Sequence, residues 1–168
     1  MVVAKNRGNA LRNPLAAYPS RLSVEDVIGS EPVAEPLKQG EAASYADGAI
    51  VLVLATEEAA AGLQGGSVFI NGIGWAQHTP NLEELEWHRA VYAEEVARKT
   101  YSMAGITDPR WGLDFAEVDD TFAYKELQHL EALGLAAAGG SGRDLERGIF
   151  GPEGRLPVNV SGGSLGCG

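Results

Sequence analysis

Two short stretches of this chain carry residue types and spacings that could do chemistry. The first is Glu117-Val118-Asp119-Asp120-Thr121-Phe122-Ala123. It sets the carboxylates of Asp119 and Asp120 where a strand-like run, 113–118, gives way to a helix-like one. Open α/β sheets place their active sites just beyond the C-terminal ends of strands. A helix N-terminus favours a carboxylate or an anionic intermediate at the same point. One aspartate of such a pair serves as an N-cap, worth about 1 kcal/mol. From residue types alone, the other is either structural too or a general base or acid. Phe122 and Tyr124 flank the pair and are secondary candidates.

The second stretch is Asn159-Val160-Ser161-Gly162-Gly163-Ser164-Leu165-Gly166-Cys167-Gly168. Glycines at this density let successive backbone N–H groups face one cavity, as an oxyanion or phosphate cradle requires. Asn159, Gly162, Gly163 and Ser164 are the candidate loop positions. A plain flexible tail fits the same composition equally well. The stretch is not G-x-G-x-x-G, and no Gly-Lys-Ser/Thr makes it a P-loop. Elsewhere, His78, His88 and His129 have no metal-ligand spacing, and no metal site is expected. His129, among Leu127, Leu130 and Glu131, reads as a partly buried or surface helix residue. Cys167 has no cationic neighbour in sequence and reads as an ordinary thiol. Trp75, Trp87 and Trp111 read as core or interface anchors.

The elements that must position these residues alternate between strand and helix, which argues an α/β fold with a mixed sheet flanked by helices. The run 49–55 (AIVLVLA) is continuously apolar and predicts a central strand buried on both faces, with 113–118 beside or near it. Thr56 caps a short helix that Gly65-Gly66 breaks. Residues 68–75 and 156–160 read as further strands. A helix is expected over 87–104, with Tyr92, Val96 and Met103 on one stripe and Gly105 at its end. Another follows Thr121, turning Phe122, Leu127, Leu130 and Leu133 inward up to Gly134, and a short one covers 143–147. Residues 1–47 hold four of the eight prolines and look irregular. Their one good helix start is the capping-box pattern Ser23-Val24-Glu25-Asp26. The chain therefore divides into a loop or linker region, 1–47, and a folded region, 48–168. Leu11, Leu15, Tyr18 and Leu22 are the apolar residues such a loop region would leave on its surface.

Composition narrows the function classes. With 168 residues the chain can hold one domain with a core. Its net charge is −10, from 13 basic and 23 acidic residues. That disfavours nucleic acid, where cations must displace phosphate counterions, and anionic membrane surfaces. No apolar run approaches the roughly 18–20 residues of a membrane span. A single cysteine makes no internal disulfide, so a cytoplasmic location is the default expectation. Glycine is abundant, at 22 of 168 residues, against an average of about 7%.

Taken together, the two stretches resemble a family. A strand ending in Glu-x-Asn/His-Asp/Glu-x-Phe, then a helix, then Asn-Val-x-Gly-Gly some thirty-odd residues on, resembles the C-terminal half of thiolases. The branch it looks most like is that of the sterol-carrier-protein or lipid-transfer type, acetyl-CoA acetyltransferase-like. Asn9-Ala10-Leu11-Arg12-Asn13-Pro14-Leu15-Ala16 resembles the family's Asn-Ala-x-x-Asn-Pro segment, and Ser23-Val24-Glu25-Asp26-Val27 its next helix. Asp47-Gly48-Ala49 matches the turn that opens the second core domain. Lys125-Glu126-Leu127 with Glu131-Ala132-Leu133-Gly134-Leu135 fits the helix after the motif. The sequence departs at position 119, where Asp stands for the family's Asn or His. It departs again at Ala42-Ala43-Ser44-Tyr45-Ala46, which lacks Ser-Gly-x-Asn.

The resemblance implies a thiolase-like αβα layered fold, incomplete in its C-terminal half. It implies acyl-CoA acyltransferase chemistry: Claisen condensation, or thiolytic cleavage of a 3-oxoacyl-CoA. The implied catalytic residues are Asp119 and Asp120, with Asn159, Gly162, Gly163 and Ser164 as the substrate or oxyanion loop. Coenzyme A enters as the substrate's thioester, and no covalently bound cofactor is implied. The family's nucleophilic cysteine half would lie before Met1 and its Gly-His-Pro histidine after Gly168, so the chain is expected to be inactive alone. Two alternatives stand beside acyl transfer. One is a thiolase-like retro-aldolase acting on a CoA-thioester, sterol-like side chain, because deprotonating a hydroxyl needs no cysteine. The other is a non-catalytic acyl-CoA-binding or assembly subunit. Implied partners are acyl-CoA, further copies of the chain, and a small accessory protein with an OB-fold and a zinc ribbon.

Overall fold

A computed structural model describes residues 1–62 and 67–168. The helix break expected at Gly65-Gly66 lies outside the described residues. The elements run in the order α1 (Val2–Ala10), α2 (Val24–Ile28), β1 (Pro32–Ala34), β2 (Leu37–Lys38), α3 (Glu57–Ala60), α4 (Val91–Ala104), α5 (Pro109–Gly112), α6 (Ala123–Ala132), α7 (Ser141–Glu146) and α8 (Gly163–Cys167). The result is a helix-rich α/β fold with one small antiparallel sheet, β1–β2, among the described residues. The core gathers Val2 and Val3 of α1, Val27 of α2, and Ala123 and Leu130 of α6. Leu135, Ala136, Leu145, Phe150, Leu156, Val158 and Leu165 complete it.

Local signals in the sequence set many element ends. Ser23 and Asp26 close the capping box of α2: the Asp26 N–H donates to Ser23 Oγ (3.1 Å), and the Ser23 N–H donates to Asp26 Oδ2 (2.8 Å). The Ala59 N–H donates to Thr56 Oγ1 at the start of α3. Gly105 ends α4 in the left-handed region, with φ 70°. α4 begins at Val91 rather than Trp87, and its buried face is Ala90, Ala93 and Ala97. Tyr92 and Val96 are only half-buried, and Met103 is exposed. Small side chains win that face because α4 packs against α6, and they let the two backbones approach.

Three expectations about the backbone need correction. First, residues 1–47 do not begin as a loop. α1 is a helix whose buried side chains are Val2, Val3, Asn6, Asn9 and Ala10. The asparagines hide its apolar period, and their amide nitrogens donate to residues more than a hundred positions away. Leu11 and Leu15 are exposed, whereas Tyr18 and Leu22 are half-buried.

Second, 49–55 is not a buried strand. The segment forms no strand and pairs with none of the described residues, with Ile50 88% and Val51 89% exposed, so both faces meet solvent. An apolar strand is stable only when neighbours satisfy its N–H and C=O groups and cover its faces. The described residues bring it neither. Residues 68–75 likewise form no strand among the described residues, and Gly72 and Gly74 rest on Thr100 and Val96 of α4. Third, 113–118 and 156–160 are not full strands. They meet in one parallel bridge, Ala116 with Val158. Its hydrogen bonds run from the Ala116 N–H to the Pro157 carbonyl (3.0 Å) and from the Asn159 N–H to the Ala116 carbonyl (2.9 Å).

That bridge brings the two chemical stretches together. The C-terminal tail is not loose: it turns into α8 and packs on α1. Gly166 makes this possible, because a Cβ there would meet the Ala10 Cβ at 2.6 Å. Among the described residues, no helix is long and apolar enough to cross a membrane.

Candidate active site

A cavity of about 400 Å³ lies where the two stretches meet, lined by Glu117, Val118, Asp119, Ser161, Gly163, Ser164, Cys167 and Gly168. Glu117 closes one wall by accepting from the Ser161 N–H (2.9 Å) and the Ser161 hydroxyl (2.7 Å). Asp119 stands at the exposed rim. Its Oδ1 accepts from the Thr121 N–H (2.9 Å) and the Thr121 hydroxyl (2.6 Å). Partial burial raises the Asp119 carboxyl, but these two bonds outweigh it, helped by Lys125. The group is held below the usual carboxylate range. It is therefore an ionised carboxylate facing the cavity at neutral pH.

Asp120, its neighbour in sequence, points the other way. It is fully buried and does not line the cavity. Its carboxylate accepts from Asn6 Nδ2 (2.7 Å), the Ser164 N–H (2.6 Å) and the Leu165 N–H (3.2 Å). The expected cap therefore exists, but it serves α8 rather than the helix that follows in sequence. The N-cap position of α6 is Phe122, which makes no side-chain cap bond. Burial pushes the Asp120 carboxyl above its usual range, against the pull of Asn6 and the two N–H groups.

The glycine loop does not offer a free oxyanion cradle. The Gly162 N–H donates to the Asn159 carbonyl (3.1 Å), the Gly163 N–H to Ser161 Oγ (3.3 Å), and the Ser164 N–H to Asp120. A helix start capped from within leaves no donor for a ligand at those three positions. Asn159 is also inward: it is fully buried at φ 53°. Its Oδ1 accepts from the Val118 N–H (2.8 Å), and its Nδ2 donates to Glu126 Oε2 (2.7 Å). It fixes the bridge rather than lining the site. Phe122 and Tyr124 stack on each other, with ring centroids 5.9 Å apart, and neither lines this cavity.

Beneath the site lies a buried polar cluster that the sequence did not suggest. Glu126 of α6 is fully buried and pairs with Lys5 of α1 (3.1 Å). It also accepts from Asn6 Nδ2 and Asn159 Nδ2, both at 2.7 Å. Lys5 donates to the Val158 carbonyl (2.8 Å) as well. Lys5, Asn6, Asp120, Glu126 and Asn159 thus tie α1, α6, α8 and the bridge into one unit. Cys167 lines the cavity as a thiol. Burial raises its pKa, Glu117 and Asp120 add to that, and a contact from Asn13 opposes it.

Gly163 shows how tightly the loop is fitted. Its φ is 59°, and a Cβ there would overlap the Asp120 carboxylate. Gly163→Ala is expected to destabilise the protein by about 1–3 kcal/mol, read as a lowered Tm.

Residues 74–168 match the family described as Thiolase C-terminal domain-like. The chain belongs to that family. It is 32% identical over 164 residues to an acetyl-CoA acetyltransferase of Methanothermobacter thermautotrophicus, covering 97% of this chain and 42% of that protein. It is 30% identical over 167 residues to sterol carrier protein 2 of Oryctolagus cuniculus, covering 96% of this chain and 30% of that protein. A solved structure described as Ltp2-ChsH2(DUF35) aldolase shares the fold with a TM-score of 0.83 at 24% identity, over 98% of this chain and 44% of the other. The chain thus spans less than half the length of these relatives.

Proposed function

We propose that this chain supplies the acid–base part of a site that makes or breaks a carbon–carbon bond beside a CoA thioester. The observation that carries the reading is the ionised Asp119 carboxylate facing a cavity in which the one thiol, Cys167, is held protonated. A protonated thiol is a poor acyl acceptor, and a positioned carboxylate is a base. Within the thiolase-like family this favours retro-aldol cleavage. Asp119 takes the proton of a hydroxyl at Cβ, the Cα–Cβ bond breaks, and Cβ becomes a carbonyl. The electron pair moves onto Cα and the thioester oxygen, and a proton from solvent returns to Cα. The products are a ketone or aldehyde and a shortened acyl-CoA.

Acyl transfer is the second reading, favoured by the 32% identity to an acetyl-CoA acetyltransferase. In that reading a nucleophile from outside these residues would carry the acyl group. For partners we infer acyl-CoA and further copies of the chain. The solved aldolase is described together with a DUF35 component. By that likeness we infer an accessory subunit here as well, of the OB-fold and zinc-ribbon kind.

The test compares two substrates on the protein in its longest natural form, with products resolved by mass spectrometry. A 3-hydroxyacyl-CoA bearing a tertiary hydroxyl should yield ketone and shortened acyl-CoA. A 3-oxoacyl-CoA with free CoA should turn over slowly or not at all. The reverse pattern would assign acyl transfer. The 168-residue chain alone is expected to show no thiolysis.

A further inference from the structure

His129 is buried on α6, and both of its ring nitrogens have a partner. Nδ1 lies 3.2 Å from the backbone carbonyl oxygen of Asp119, and Nε2 lies 2.8 Å from the Tyr92 hydroxyl on α4. The carbonyl can only accept, so Nδ1 carries a proton. In the neutral ring Nε2 is an acceptor, to which the Tyr92 O–H donates. Burial raises the Tyr92 hydroxyl, so it keeps its proton to give. The rings meet edge to face, 5.9 Å apart at 75°, which leaves the imidazole little freedom to turn.

We propose that Tyr92 and His129 are positioning residues that brace the Asp119 backbone from behind, fixing the direction in which its carboxylate meets the substrate. The brace touches the carbonyl and not the carboxylate, so it passes no proton to the reacting group. It sets the peptide plane on which the Asp119 side chain stands, in a segment otherwise held by isolated bridges on either side, Ala116 with Val158 and Ala42 with Phe122. It also makes the α4–α6 contact part of the site, although α4 does not line the cavity.

The catalytic consequence rests on the proposed retro-aldol or acyl-transfer reading; the brace itself does not. The first arm of the test is therefore ¹⁵N NMR of histidine-labelled 168-residue chain at neutral pH. His129 should show a protonated Nδ1 and a bare, hydrogen-bonded Nε2, and Tyr92→Phe should remove the Nε2 bond. A ring protonated at Nε2, or a spectrum unmoved by Tyr92→Phe, would overturn the brace.

The second arm is kinetic, on the whole protein. Tyr92→Phe should lower kcat about tenfold with KM nearly unchanged, as misorientation of a reacting group does. His129→Asn, whose amide can replace the Nδ1 donor, should keep more activity than His129→Leu. If His129→Leu fails to fold, Tyr92→Phe decides. Equal kcat in Tyr92→Phe and the parent would overturn the positioning role. If the parent itself turns over no CoA thioester, the functional reading fails, and the NMR arm alone judges the brace.

Discussion

Glu126→Ala is expected to destabilise the protein by about 3–5 kcal/mol, because it strands the Lys5 ammonium in the interior without its counter-charge. The Lys5 side chain is 8% exposed and that of Glu126 is fully buried. Two amides, of Asn6 and Asn159, lose their shared acceptor at the same time. The loss is read from urea unfolding curves. Burial already pulls the Lys5 pKa below its usual 10.5, against the attraction of Glu126. Its native state therefore sheds its proton before the unfolded chain does, and stability rises with pH between the two pKa values. Without Glu126 that window widens, so the deficit of the variant should shrink as pH is raised towards 10.5. The double variant Lys5→Met/Glu126→Leu should recover part of the loss, since it leaves no unpaired charge. A cost below about 1 kcal/mol for Glu126→Ala would mean that water reaches the cluster and screens it.

Asp119→Ala is expected to lower kcat by a factor on the order of 10² or more while barely moving the melting temperature. The carboxylate stands at the rim, and among the described residues its side-chain hydrogen bonds close the turn to Thr121. Losing that turn costs about 1 kcal/mol. Asp120, one residue on, should behave oppositely: Asp120→Ala frees two N–H groups of α8 and the Asn6 amide, so stability falls first. Kinetics and melts on the two variants together separate base from cap. A kcat unchanged in Asp119→Ala with a lowered Tm would make both aspartates structural.

Local chemistry was legible in the sequence, and long-range chemistry was not. The capping box at Ser23 and Asp26, the Thr56 cap and the left-handed Gly105 stop depend on neighbours in the chain, and each stands as read. The meeting of 117–119 with 161–164 in one cavity also follows the two stretches singled out. Helix α1 was missed because its buried face carries Asn6 and Asn9, which break the apolar period. The cap on α8 was missed because Asp120 reaches it across 44 residues. The run 49–55 misled for the opposite reason. Its pattern reports what a strand needs on both faces, and the described residues do not provide it. His129 looked ordinary because neither Tyr92 nor the Asp119 carbonyl is near it in helical register.

The acid limbs of kcat/KM and kcat bear most directly on Asp119 as the base. The limb of kcat/KM reports the free enzyme, and that of kcat the substrate complex. In the free site the hydrogen bonds from Thr121 outweigh burial, so the carboxyl lies below its usual 3.8. kcat/KM should then be flat from about pH 7 down to about pH 5. Bound substrate excludes water and strengthens burial, the largest influence on this group, so the limb of kcat should lie at higher pH. Both features should vanish with the activity in Asp119→Asn. A kcat/KM limb centred near pH 6–7 that persists in Asp119→Asn would place the base on another residue, most simply a histidine, and contradict the assignment.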